Sequence, residues 1–435
     1  MNKQQKTTCS LFAALILMTG GQSSAETLKQ AVEQTLRTNP DIQVNIRESN
    51  ARQEEVKQAK AGYLPSIDVT AGYGKERSNN STTRAAGYND RTLQRGEAAI
   101  EVTQNLYDGL ATKHEIDRQR ARVQSAGFSF MGSAEHTALR AIEVYLDVLR
   151  QKELLSQSRT NFSAHEHIQE QVKARSDAGV SRGSDLNQVD GRLALARTNV
   201  ISDESNLNDA KTNYLRVVGN LPGSDLNTPS FPSDRLPSSL DEAITRAEAN
   251  NPVLLSAKAD VDAAAAQFHA SKSAFRPRFD LELGKTWNNN LDGVEGTNED
   301  TTAMLRMRLN LLNGGADLAR KNQTVQLLEE AKEVKNSTQR QVVENIRLTW
   351  NGYKAINKQM GYLKSHYDSS MKTRDAYTKQ FGIGKRTLLD LLDTENEMFE
   401  ASRAYINAKY DSLYSRYRIM AGMGMLNETL GVNVR

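Results

Sequence analysis

The placement of proline limits this chain more than any other feature. Its eight prolines stand at positions 40, 65, 222, 229, 232, 237, 252 and 277, with none between 66 and 221 and none after 277. A proline inside a helix costs about 3 kcal/mol. Two stretches of more than 150 residues, rich in Ala, Glu, Lys, Arg, Gln and Leu, are therefore free to form very long helices. A helix over residues 110–178 would measure on the order of 100 Å at about 1.5 Å per residue. Four of the prolines crowd into Asn220–Ser238, which reads as an irregular connector between two halves.

The halves repeat. Leu28-x-x-Ala31 matches Leu240-x-x-Ala243, Asn39-Pro40 matches Asn251-Pro252, and Pro65 matches Pro277, all at an offset of 212. Further on, Asn105-Leu106, Gly109 and Asp185 match Asn310-Leu311, Gly314 and Asp390 at an offset of 205. Two constant offsets with one seven-residue deletion mark an internal duplication. The expected organisation is a leader at 1–25, a first repeat at 26–219, a connector at 220–238 and a second repeat at 239–430.

Each half opens with two helices, 27–38 and 41–62 in the first. An X-Pro step then favours extended backbone. Ile67, Val69, Ala71 and Tyr73 alternate with polar neighbours, as do Ala98, Ile100, Val102 and Leu106. Phe279, Leu281, Leu283 and Trp287, then Ala303, Leu305, Met307, Leu309 and Leu311, repeat the pattern. Period two marks strands with one apolar and one polar face. Asn/Gly/Thr-rich loops are expected at 74–92 and 288–300. Two readings fit: a soluble half-buried sheet, or a transmembrane β-barrel, apolar outside and charged inside. An export leader and loops on one side only favour the barrel. Four strands are too few to close one, since small barrels need about eight; three chains would supply twelve.

The long segments carry heptad spacing. Positions 116, 120, 123, 127, 130, 134, 137, 141, 144, 148, 151 and 155 follow steps of four and three, and Leu392, Phe399, Ile406, Leu413 and Met420 recur every seventh residue. Such repeats imply supercoiled packing.

Composition excludes several classes. The apolar fraction is 38% and the mean hydropathy −0.62, so a multi-helix membrane protein is ruled out. Charges of both signs are interspersed, without the basic stripe of a nucleic-acid binder. Lys3 and Lys6, the apolar run Leu11–Met18 and the small residues Ser23-Ser24-Ala25 have the grammar of a secretory leader cut before Glu26. The single cysteine, Cys9, lies within that leader, which leaves no thiol for a disulfide or a metal site. No cofactor is expected.

Two apparent catalytic motifs lack their context. Gly179-Val180-Ser181-Arg182-Gly183 spells G-x-S-x-G, but a polar helical segment precedes it instead of a buried strand. Gly384-Lys385-Arg386-Thr387 imitates the end of a phosphate loop, yet Lys379 stands where the earlier glycine belongs. His165 and His167, two apart, are expected as solvated residues on different sides of a helix. What remains are two matching helix–turn–helix tips at 178–185 and 381–393. Glycine stops one helix and permits each turn. Asp185 and Asp390 then fall in the first turn of the next helix, where the dipole favours carboxylates. Asp390 and Asp393 share a face, so a symmetric trimer would stack them as two rings of three carboxylates. Capping and pore lining both remain open for these aspartates.

The duplicated helix–strand–loop–strand–helix unit, Pro65 and Pro277 before the strands, the proline-rich connector and above all Gly384-Lys385-Arg386-Thr387-Leu388-Leu389-Asp390-Leu391-Leu392-Asp393 resemble the TolC family of outer-membrane export ducts. The resemblance covers nearly the whole exported chain. It implies a homotrimer with a 12-stranded outer-membrane β-barrel, continuous with a long periplasmic α-helical barrel closed at its tip. By the same resemblance Asp390 and Asp393 line the entrance. Arg386 pairs with Asp185 of a neighbouring hairpin, beside Ser184, to latch the tip. Phe381 stands where a family member has tyrosine, so it is expected to contribute packing alone. The implied partners are a periplasmic adaptor, an inner-membrane ABC transporter or RND pump, and outer-membrane lipid, with no nucleic acid. The stretch Tyr214–Pro222 resembles the branch serving type I secretion, particularly of large adhesins. The expected function is a passive duct and not an enzyme. The competing readings are a multidrug efflux duct, a soluble periplasmic coiled-coil adaptor and a hydrolase acting through Ser181.

Overall fold

The computed structural model describes residues 26–180 and 182–433. The leader expected at 1–25 and Ser181 lie outside the described residues. The chain runs α1 (Leu28–Thr38), α2 (Pro40–Ala61), β1 (Ser66–Ser78), α3 (Ser81–Ala85), β2 (Arg91–Tyr107), α4 (Ala111–Asp177) and α5 (Gly183–Val218). After the connector come α6 (Leu240–Asn250), α7 (Pro252–Ser271), β3 (Arg278–Asn289), β4 (Thr297–Arg308), α8 (Ala316–Gly382), α9 (Leu388–Gly422) and α10 (Leu426–Leu430).

Local chemistry sets the boundaries. Thr27 and Gln30 form a reciprocal capping box at the start of α1. Asn39 and Asn251 cap α2 and α7, each with proline at the first helical position. Where strand gives way to long helix, Gly109 and Leu110 take φ of 71° and 74°, and Gly314 and Gly315 take 67° and 87°. A Cβ at Gly109 would lie 2.8 Å from the Ser273 carbonyl oxygen, so glycine is required there for space as well as conformation. Both α4 and α8 contain 67 residues, about 100 Å of helix.

The four strands form one antiparallel sheet in the order β1-β2-β3-β4. Its register places Val69 opposite Ile100, Ala98 opposite Trp287 and Leu283 opposite Ala303. One face therefore gathers Ile67, Val69, Ile100, Leu283, Leu305 and Met307, all exposed, Val69 to 70%. The other face carries charge. Asp280 is buried between Arg278 Nε at 2.8 Å and Arg308 Nη1 at 2.9 Å, and Glu282 accepts from Arg306 and Arg308. Arg95 bridges Glu76 and Glu97 on the same face. Among the described residues no helix is long and apolar enough to cross a membrane.

The loops are shorter than the sequence suggests. Strand pairing continues through 74–78, 91–92, 288–289 and 297–300, and α3 fills part of the first loop. Polar residues pair as readily as apolar ones once the backbone ladder has begun, so the end of the apolar alternation does not end the strand. The two loops meet: Asn80 Nδ2 donates to the Asp292 carbonyl at 2.8 Å, and Arg91 pairs with Glu295 at 2.6 Å.

The main core lies where α1, α4, α5, α9 and α10 converge, around Ile142, Tyr145, Leu146, Tyr214, Tyr417 and Met420. Tyr145 Oη lies 2.7 Å from the carbonyl oxygens of Glu26 and Asn227, tying the first described residue and the connector to α4. Toward the tip, the buried stripe of α4 keeps its steps of four and three through Leu154, Ser158, Asn161, His165, Ile168 and Val172. His165 is thus buried, contrary to the solvated position expected. It continues a heptad seam, and its Nδ1 lies 2.9 Å from the Asn161 carbonyl oxygen. Burial lowers its pKa and favours the neutral ring. Arg120, placed on the heptad by spacing, is exposed instead, because Ile116, Gln119 and Ala121 supply the buried face of this part of α4 and Arg120 points away from it. On α5, Val189, Ala196, Asp203, Ala210 and Val217 recur every seven residues and are all buried. Asp203 is held there by Ser158 Oγ and by Arg403 Nη1 at 2.6 Å.

Candidate functional site

The two long hairpins turn at the same end of the molecule and meet there. Ile168 and Val172 of α4, Val189 of α5, Phe381 of α8, and Leu391 and Leu392 of α9 form a small apolar cluster separate from the main core. Four helix ends are thereby drawn to one point. Phe381 is buried in this cluster, and it contributes more than the packing expected of it.

Arg175 closes this cluster. Its guanidinium lies 4.5 Å over the Phe381 ring, and Nη2 donates to the Phe381 carbonyl at 3.1 Å. A cation at the last carbonyls of α8 also meets the negative end of that helix dipole. Sequence reasoning passed over Arg175. A signal was present: His165, Ile168, Val172 and Arg175 continue the same steps of four and three. Reading His165 as solvated hid it.

Asp390 is at the third position of α9 and forms a reciprocal cap. Thr387 Oγ1 accepts from Asp390 N at 3.2 Å, and Asp390 Oδ2 accepts from Thr387 Oγ1 at 2.8 Å. The Thr387 hydroxyl and N–H hold its carboxyl below the usual carboxylate range, with Arg386 adding to the effect, so Asp390 is ionised at neutral pH. Arg386 Nη1 lies 3.9 Å from Asp390, Nε donates to Gln380 Oε1 at 3.0 Å, and the guanidinium lies 4.1 Å over the Tyr377 ring. Within one chain Arg386 thus sits on its own hairpin.

Asp393 is 60% exposed at its side chain and does not stand alone: Arg192 Nη2 of α5 lies 3.2 Å from its Oδ1. Spacing alone gave no sign of Arg192. On the first tip, Asp185 accepts from Arg182 N at 3.4 Å in the opening turn of α5, and Ser184 beside it is exposed. Of the G-x-S-x-G segment, Val180 is 78% exposed, and Ser181 lies outside the described residues. A nucleophile elbow needs a strand-to-helix turn, and α4 precedes this segment.

Comparison with known proteins agrees with this geometry. The outer membrane efflux protein family matches residues 31–220 and 243–425. The outer membrane efflux protein BepC of Brucella suis is 25% identical over 434 residues, covering 98% of this chain and 92% of that protein. The alkaline protease secretion protein AprF of Pseudomonas aeruginosa is 23% identical, covering 96% and 88%. Among solved structures, the Campylobacter jejuni CmeC outer membrane channel superposes with a TM-score of 0.79 at 14% identity, over 92% of this chain and 86% of that one. Its likeness establishes the fold: a four-stranded β part continuous with long helical hairpins. The chain belongs to the outer membrane efflux protein family, the TolC-like outer-membrane channels whose helices extend into the periplasm.

Proposed function

We propose that three copies of this chain form a passive export duct for type I secretion of proteins, large adhesins among them. The observation that carries the duct is the sheet. It has one exposed apolar face, one charged face and two unpaired edges, β1 and β4. A sheet cannot leave its edges open in lipid, so neighbouring chains pair them, and three chains of four strands close the barrel. The charged face then lines water, and the helices carry the lumen on toward the periplasm. The two repeats, 26–219 and 239–430, would each contribute one hairpin of strands and one of helices, joined through 220–238.

In this assembly Asp390 and Asp393 line the periplasmic entrance. Arg386 reaches Asp185 of a neighbouring hairpin, beside Ser184, and the three symmetric contacts hold the tip shut. A hydrogen bond to a charged group contributes about 1.5–3 kcal/mol, so contacts from a periplasmic adaptor must outweigh three such bonds to open the latch. The driving energy belongs to an inner-membrane ABC transporter; this chain serves as conduit without catalysis.

A relative named for alkaline protease secretion supports protein export. The efflux name of BepC supports a second reading, a multidrug efflux duct working with an RND pump. Deletion in the native host separates the two. Loss of a secreted protein with unchanged drug tolerance supports secretion; drug hypersensitivity with an intact secretome supports efflux. Planar-bilayer recording tests the duct itself. Discrete, cation-preferring channels are expected, and well-folded trimers that never conduct, even as Arg386→Ser, would remove the reading.

A further inference from the structure

A bare ring of three carboxylates would make an entrance strongly cation-selective. The structure does not leave Asp393 bare. Arg192 follows Val189, a buried member of the tip cluster, by one helical turn, and its side chain is two-thirds buried. From there Nη2 reaches Asp393 Oδ1 at 3.2 Å, from α5 to α9. About three turns further along, the same two helices are joined again with the polarity reversed: Asp203 of α5 meets Arg403 of α9 at 2.6 Å. Long side chains therefore bridge α5 and α9 at two levels, which holds Arg192 against Asp393.

We propose that Arg192 is the specificity-determining residue of the periplasmic entrance, compensating the charge of Asp393 while α5 and α9 stay together. The inference rests on the assignment of Asp393 to the entrance. A paired carboxylate and guanidinium project a dipole where a lone carboxylate would project a full charge, and a dipole's field falls off faster. The shut tip is thus weakly selective. An opening that draws α9 from α5 uncovers three carboxylates at once, so the pull on cationic segments of an entering cargo begins with opening.

The test is the reversal potential in planar bilayers under a KCl gradient, recorded on trimers whose assembly is checked by electrophoresis. Arg192→Gln is expected to raise the cation-to-anion permeability ratio about two- to fivefold, and Arg192→Lys to keep the parent ratio. Asp393→Asn is expected to lower the ratio, because it leaves the guanidinium uncompensated. The double variant Arg192→Gln/Asp393→Asn loses a charge pair of zero net charge and returns to the parent value. A double variant that behaves like Asp393→Asn, with Arg192→Gln like the parent, overturns the proposal and leaves the entrance assignment standing. An Asp393→Asn channel with the parent ratio removes the entrance assignment, and this inference with it.

Discussion

Arg175 stacks on Phe381 at 4.5 Å and donates to the carbonyl of the same residue at 3.1 Å, joining the end of α4 to the end of α8. One side chain thus couples two hairpins that come from different repeats. With the apolar cluster beneath it, this makes the tip of one chain a single unit. Drawing one hairpin away from the other must break this contact as well as the apolar cluster.

Arg175→Ala removes a charge-assisted hydrogen bond and a cation–π contact, together about 2 kcal/mol of local stability. Hydrogen exchange at the 381–387 turn is expected to quicken about thirtyfold, with exchange in the main core around Tyr145 unchanged. Equal protection at the turn in both proteins would show that the apolar cluster alone holds the hairpins together.

Arg386→Ser removes the stacking on Tyr377, the bond to Gln380 and the charge beside Asp390. If Arg386 also latches neighbouring chains, single-channel conductance rises and cells become sensitive to bulky antibiotics. Unchanged conductance together with unchanged sensitivity takes Arg386 out of the latch and leaves it the intrachain role seen here.

Val69 separates the two readings of the sheet. Its side chain is 70% exposed on the apolar face. On a soluble surface Val69→Arg would change stability by about 0.5 kcal/mol or less. Facing lipid near mid-bilayer, it costs about 2–4 kcal/mol. Poor assembly of heat-resistant trimers by Val69→Arg, with normal assembly by Thr70→Arg on the opposite face, is the result expected of a barrel.

Glu135 gives the contact between α4 and α10 a pH dependence. Its carboxylate accepts from the N–H groups of Leu426 and Asn427 at 2.8 and 3.0 Å, yet burial pushes its pKa up to about 7. The folded state therefore binds a proton that the unfolded chain, near 4.5, has already released. Stability from this group is complete below pH 4.5, falls as pH rises toward 7 and is gone above it. The span is about 3 kcal/mol. Thermal melts should rise on going from pH 7.5 to 5. Glu135→Gln should flatten that slope while losing one acceptor for α10. A parent slope that persists in the variant would assign the effect to another group.

The sequence by itself determined the architecture. Proline placement, two constant offsets and period-two alternation located the long helices, the four strands and both tips, because backbone restriction and one-faced burial are properties of short stretches of chain. It also pointed to Asp390 as a cap, since a reciprocal box needs neighbours only three residues apart. What it could not supply were the contacts between distant turns. His165 looked solvated because a polar side chain on a heptad seam is buried only once other helices close over it. Arg192 and Arg175 lie about 200 residues from Asp393 and Phe381, and no local pattern records which cation faces which acceptor. Those pairings depend on how α4 and α5 settle against α8 and α9. Packing fixes that arrangement, while the sequence restricts it only to a face. Tertiary structure alone thus decided that Asp393 carries a partner and that the two hairpins share one tip.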